Sequence, residues 1–310
     1  MHPEVEVPLR YPVNALVSYH YFARVDVAEV AALGLRLIGD SGAFSALTQG
    51  AVIDVGAFAD WALRWRASLA WVASLDAIGD AEASWRNYRV LRARGLDVVP
   101  TVHYGEPPSV LDRYADDGVD FVGLGGMVGM KGEPDRLLRW SLGMFRHARD
   151  HHPGMRFHGW GVSHRRLLLN LPWYSVDTSG FGSAYRYARM KLWNPGTHQF
   201  QFMLLDGRGP HAARALLADH YGGVTPEMVA RSHAGNRRLL IRVSARSLQG
   251  FEDHLRSRHQ VPAPAYGLAD EGTGPHAHFA DGGVHNIRDL GPHLHNVQTD
   301  LADYSMMGAT

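Results

Sequence analysis

Short apolar runs that end in glycine, aspartate or histidine recur along the first 180 residues. They read ALVSYHYF (15–22), LRLIGDSG (35–42), LAWVASLDAIGD (69–80), LDVVPTVHYG (96–105), VDFVGLGG (119–126), MRFHGWGV (155–162) and WYSVDTSG (173–180). Between most of them lie charged stretches of helical period: FADWALRWRASL (58–69), AEASWRNYRVLRARG (81–95), SVLDRYADDG (109–118) and PDRLLRWSLGMFRHARDHH (134–152). The runs are continuous rather than alternating. That pattern marks strands buried on both faces, each followed by a helix, and hence a parallel sheet. Seven such units are many for a doubly wound sheet. They predict an α/β fold of the (β/α)8, TIM-like barrel type, with a C-terminal helical and loop-rich extension.

After residue 180 the rhythm weakens. QFQFMLLDG (199–207) offers an eighth strand, HAARALLADHY (211–221) reads as a helix, and RRLLIRVSARSLQGFEDHLRSRH (237–259) as further helix. Residues 260–310 are rich in Gly, Pro and His and read as loop. The expected organisation is a barrel over 1–210 and an extension over 211–310 packed on it.

In such a barrel, functional groups cluster at the C-terminal ends of the strands. Asp40, Asp76, His103, Gly125-Gly126, Gly161 and Asp177 all follow their apolar runs, in steps of 36, 27, 22, 36 and 16 residues. Paired carboxylates can cleave a glycosidic bond, one attacking the anomeric carbon and the other handling the leaving group's proton. An aspartate at a strand end serves equally well as the N-cap of the next helix. Gly125 and Gly126 let backbone N–H groups approach a ligand, or simply make a tight turn. His103 is a candidate acid, base or hydrogen-bond donor. Phe44 fits either stacking on a planar ligand or a core position. SAYRYARMKLW (183–193) interleaves Arg186, Arg189 and Lys191 with aromatics, as nucleic-acid contacts do. A solvated amphipathic segment has the same look.

Composition narrows the options. The chain has 310 residues with 31 basic and 31 acidic side chains, so net charge argues neither for nor against nucleic acid. There are no cysteines, which removes disulfides, a Cys nucleophile and thiolate zinc sites. His276, His278, Asp281 and His285 cluster in the tail as weak metal-ligand candidates. The N-terminus lacks the apolar core of a signal peptide, and no apolar stretch approaches the ~20 residues of a membrane span. The expectation is a cytoplasmic protein without a membrane partner.

The ordered motifs resemble those of the tRNA-guanine transglycosylase superfamily. DSGAF (40–44) resembles its Asp-Ser-Gly-Gly-Phe signature, and SLDAIGD (74–80) its second Asp-bearing strand end. TVHYGE (101–106) falls where the family has a base-reading Gln. GLGGM (123–127) is similar to its Gly-Leu-Ala-Val-Gly segment, HGWGV (158–162) to its Met-Gly-Val-Gly strand, and YSVDTSG (174–180) to the region of its nucleophilic Asp. The resemblance covers roughly residues 15 to 185. The tRNA enzymes carry a zinc site of three Cys and one His, which a chain without Cys cannot build, and the family's Gln is His103 here. Those departures make the chain most like the DpdA-type branch, which resembles the tRNA enzymes but places 7-deazaguanines in DNA. If a phage encodes the protein, its compartment is the host cytoplasm.

The resemblance implies a pentosyltransferase that exchanges guanine in DNA for a free 7-deazaguanine base. Asp177 would form a covalent glycosyl intermediate and Asp40 would serve as general acid and base. Ser41, Gly42, Phe44, Asp76, His103, Gly125, Gly126 and Gly161 would hold the base. Arg165, Arg166, Arg186, Arg189 and Lys191 would meet phosphates. The chemistry needs no cofactor. Three alternatives stand beside it: a tRNA-acting enzyme of the same chemistry, a non-catalytic nucleic-acid-binding subunit, and an unrelated barrel enzyme such as a glycosidase or aldolase.

Overall fold

The structure, a computed structural model, describes residues 5, 7–127, 133–178, 183–205 and 211–260. These form two compact units, one spanning 14–178 and the other built from the N-terminal residues up to 13 together with 183–260.

The first unit alternates strand and helix. Its elements are β1 (Asn14–Ser18), α1 (Tyr19–Phe22), α2 (Val27–Ala31), β2 (Arg36–Asp40), α3 (Ala43–Thr48), α4 (Val55–Trp65), β3 (Leu69–Ala73), α5 (Ala81–Ala93), β4 (Val98–Val99), β5 (Thr101–His103), α6 (Val110–Asp116), β6 (Phe121–Gly125), α7 (Pro134–His151), β7 (Arg156–Gly159), α8 (Arg165–Asn170) and β8 (Ser175–Val176). All pairings are parallel and follow chain order, β1-β2-β3-β4 and then β5-β6-β7-β8. Pro100, which has no N–H to give a ladder, separates β4 from β5. The two still make one course, because Ser74 N–H donates to Val99 O and Gly123 N–H to Pro100 O, both at 2.8 Å.

The apolar runs supply the interior: Val17, Leu37, Val72, Val99, Val102, Val122, Leu124 and Phe157 are all buried. The sheet is strongly curved. Trp71 on β3 touches the rings of Phe121 on β6 and His158 on β7, at 5.3 and 5.1 Å between centroids. In a flat sheet at ~4.8 Å per strand, β3 and β7 would stand roughly 14 Å apart. Among the described residues no pairing joins β8 to β1.

Helix starts answer the capping question. Asp26, Asp54 and Asp80 are N-caps whose carboxylates accept backbone N–H groups of α2, α4 and α5. The residue capping α3 is Gly42, and Asp80 rather than Asp76 caps α5. Asp40 and Asp76 are therefore not helix caps.

The second unit departs from expectation. The described part of the QFQFMLLDG run, residues 199–205, does not supply an eighth parallel strand. Instead β9 (Arg189–Asn194) and β10 (Gln199–Leu204) form an antiparallel hairpin after α9 (Ser183–Tyr187). Its turn is closed by the Asn194 side chain, which accepts from Gly196 N and Thr197 N. The boundary between units thus falls at residue 178, earlier than 210, because this segment pairs with itself. The helices α10 (His211–His220), α11 (Pro226–Ala234) and α12 (Arg238–His259) cover the hairpin through Met190, Leu192, Met203, Leu217, Leu240 and Val243. The N-terminal residues join this unit: Arg242 Nε donates to Val7 O and Gln249 Nε2 to Tyr11 O.

Candidate active site

β2 delivers Asp40 at its last residue. Its Oδ2 accepts the Gly42 N–H at 2.9 Å. Gly42 has φ +78°, and a Cβ there would collide with Ser18 Oγ and His20 Cβ, so only glycine fits this turn. Ser41 is buried, and its Oγ accepts the Ala43 N–H at the start of α3. Phe44 is 49% exposed, which removes it from the core and leaves its ring free to meet a ligand.

The Asp40 carboxyl keeps a small accessible face but is surrounded by protein. Burial pushes its pKa up to about 7; the neighbouring Asp76 and, less strongly, Asp177 add to the rise against the Gly42 hydrogen bond. The fold thus sets the strand-end carboxylates of Asp76 and Asp177 near enough for their charges to act on Asp40.

Asp76 lies just beyond β3. Its Oδ2 is 3.6 Å from His103 Nε2, while Oδ1 is buried with no hydrogen-bond partner. An orphaned buried acceptor is costly unless a ligand satisfies it. His103, the last residue of β5, sits between two carboxylates: Nδ1 is 3.4 Å from Glu106 Oε1, which also accepts the His103 N–H at 2.8 Å. Burial pulls the imidazole pKa down, but the hydrogen bonds and charges of Asp76 and Glu106 outweigh it and raise it to about 9. His103 is an imidazolium at neutral pH.

β6 ends in the glycines. A Cβ on Gly123 would strike the Trp160 indole, and one on Gly125 would sit 2.9 Å from Thr101 Cγ2. The indole N–H donates to Thr101 Oγ1 at 3.0 Å. Gly123 and Gly125 are thus required by packing, whereas Gly126 (φ +72°) is exposed at the mouth.

Asp177 follows β8. Its Oδ1 accepts the N–H of Gly161 at 2.7 Å and lies 3.4 Å from His158 Nε2. His158 is 1% exposed, its Nδ1 meets Ser175 Oγ at 2.8 Å, and its Nε2 has no hydrogen bond. The imidazole edge also packs against Trp160. Ser175 thus meets the His158 ring, whose Nε2 faces the Asp177 oxygen that the Gly161 N–H holds.

Four functional neighbours went unread in the sequence: Glu106, His158, Trp160 and Thr101. Glu106 had a signal, standing three residues after His103. His158 sits in a strand buried on both faces, where sequence does not reveal which side chains point inward. The basic candidates divide. Arg165 and Arg166 begin α8, exposed, with Arg166 paired to Asp135 at 2.5 Å. Arg186, Arg189 and Lys191 belong to the other unit. There the Arg189 guanidinium lies 4.1 Å from the centre of the Phe202 ring, and Lys191 Nζ 5.8 Å. His276, His278 and His285 lie outside the described residues. Among the described residues, no helix is long and apolar enough to cross a membrane.

No family model matches the chain, and no curated protein matches it.

Proposed function

We propose that the chain is a base-exchange transglycosylase acting on guanine in DNA, its curved parallel sheet belonging to a TIM-like barrel. One observation carries this reading: two strand-end carboxylates each held by a backbone N–H, Asp40 by Gly42 and Asp177 by Gly161, with the unpartnered buried Asp76 Oδ1 on the strand end next to Asp40's. Paired carboxylates serve as acid and nucleophile in glycosyl transfer.

In this mechanism Asp177 Oδ attacks C1′ of the target nucleoside as the C1′–N9 bond breaks. The Gly161 N–H fixes the carboxylate rotamer from one side, and His158 faces the same oxygen from the interior. Asp40 gives its proton to the departing guanine. The covalent glycosyl–Asp177 ester then meets an incoming 7-deazaguanine. Asp40, now charged, takes the N9 proton as that nitrogen attacks C1′ and releases Asp177. A pKa near 7 suits both directions of transfer at neutral pH. Asp76 Oδ1 accepts from the base's N1–H and amino group, and the His103 imidazolium, facing Asp76 with one ring nitrogen and Glu106 with the other, holds that carboxylate in place. Phe44 stacks on the ring. In duplex DNA the target must leave the stack, at a cost of a few kcal/mol. On the first unit Arg165 supplies an exposed cation for phosphates; Arg189 and Lys191 offer the same chemistry on the second.

The test is incorporation of radiolabelled guanine into DNA and, separately, into tRNA, by wild type and Asp177→Asn. The expected result is label in DNA, reduced by ~10³-fold or more in the variant, with an unchanged far-UV spectrum. Full activity in Asp177→Asn refutes the mechanism. Label in tRNA alone keeps the chemistry and refutes the acceptor.

A further inference from the structure

We propose that Asp112, His147 and His152 form a site for a divalent transition-metal ion of the zinc class, between α6 and α7 and separate from the strand-end carboxylates. Asp112 stands in the first turn of α6. α7 ends in the sequence HARDHH, which carries His147, His151 and His152. The Nε2 atoms of His147 and His152 each lie 2.6 Å from the same oxygen, Asp112 Oδ1. All three donor atoms lie within 4.8 Å of one another.

Two imidazole nitrogens and one carboxylate oxygen are a donor set suited to zinc, which takes four ligands at ~2.0–2.2 Å. In a tetrahedral site such donors stand roughly 3.3 Å apart, so the half-exposed Asp112 carboxylate needs to retract by less than ~1 Å. The fourth position has a candidate: the His151 ring is 4.5 Å from that of His147. The arrangement is otherwise crowded. Two imidazoles share one carboxylate oxygen and the His151 ring packs beside them, with ring centres 4.5 to 6.4 Å apart. A metal takes up both Nε2 lone pairs and the carboxylate charge at once. His152 also caps the C-terminal end of α7, where the helix dipole favours a cation. The Asp112 carboxylate is itself solvent-accessible, its side chain 46% exposed, so an ion can reach it.

The sequence alone pointed to the tail histidines, so the experiment separates the two. Untagged, chelator-stripped full-length protein is titrated with ZnCl₂ by calorimetry and with CoCl₂ by visible absorption. The variants are His147→Gln, His152→Gln, Asp112→Asn, and a tail variant carrying His276→Gln, His278→Gln and His285→Gln. The expected result is one zinc equivalent bound at micromolar or tighter Kd, unchanged in the tail variant. Affinity should fall at least tenfold in each helix variant, with parallel loss of the Co(II) absorption band. Thermal melts of the metal-free variants check folding, and Asp112→Asn, the most exposed and conservative, stands in if a His variant does not fold. No binding by the wild type overturns the proposal. So does zinc binding that survives all three helix substitutions, or binding lost only in the tail variant. None of these readouts involves base exchange, so the site and the proposed activity stand or fall separately.

Discussion

Replacing Asp40 by Asn tests the central electrostatic claim without relying on activity. The folded carboxyl titrates at about 7 and the unfolded one at 3.8, because burial and the Asp76 charge disfavour its ionised form. The folded state thus binds the Asp40 proton more tightly. Asp40's contribution to stability is fully present below about pH 4, is lost as pH rises toward 7, and is flat above. Roughly three pH units at ~1.4 kcal/mol each set an upper limit of about 4 kcal/mol, which residual water contact reduces. Asn is nearly isosteric and neutral at every pH, and its side-chain oxygen can still accept the Gly42 N–H. Urea denaturation of wild type and Asp40→Asn at half-unit steps from pH 5 to 8.5 measures the difference directly. The variant should gain on the wild type as pH rises, by on the order of 2–4 kcal/mol at pH 8, while base exchange is abolished. Asp76→Asn, which removes the neighbouring charge, should shift the wild-type transition to lower pH. A stability difference that does not change with pH would refute the placement of a strained carboxyl at this strand end. A fully active Asp40→Asn would refute its role as acid and base.

Other outcomes follow from the same geometry. Gly42→Ala should destabilise the first unit by roughly 2–4 kcal/mol, since the new Cβ meets Ser18 Oγ at a positive φ, as thermal or chemical melts would show. His158→Gln should lower kcat for exchange by roughly 10–100-fold with KM little changed, because it disturbs how Asp177 is aimed and not how the base is held; an equal rise in KM would refute that division of labour. For His103, whose folded pKa is raised to about 9, the stabilisation is full below pH 6.5 and lost as pH rises through 9, so the advantage of wild type over His103→Gln in denaturant melts should shrink across that window.

Much of the first unit was legible along the chain. Continuous apolar runs ending in Gly, Asp or His became parallel strands, and the charged stretches between them became the covering helices, because burial on both faces leaves a local signature. The helix at 238–259 was equally clear from its period. The QFQFMLL run was read correctly as extended and given the wrong partner. A run of apolar residues fixes that a strand forms, but the neighbour that accepts its hydrogen bonds is chosen elsewhere in the chain. The same limit applied to chemistry. Asp40, Asp76 and Asp177 were visible as carboxylates at strand ends, yet their sequence positions matched those of helix caps. Only the placement of Asp54 and Asp80 at helix starts told the two kinds apart. His158 beside Asp177, Glu106 beside His103, and the Asp112, His147 and His152 cluster are products of packing between elements. Sequence by itself determined which groups carry charge and which segments bury. The tertiary structure decided which charges meet, because a pKa or a metal-ligand set depends on distances between residues that chain order does not fix.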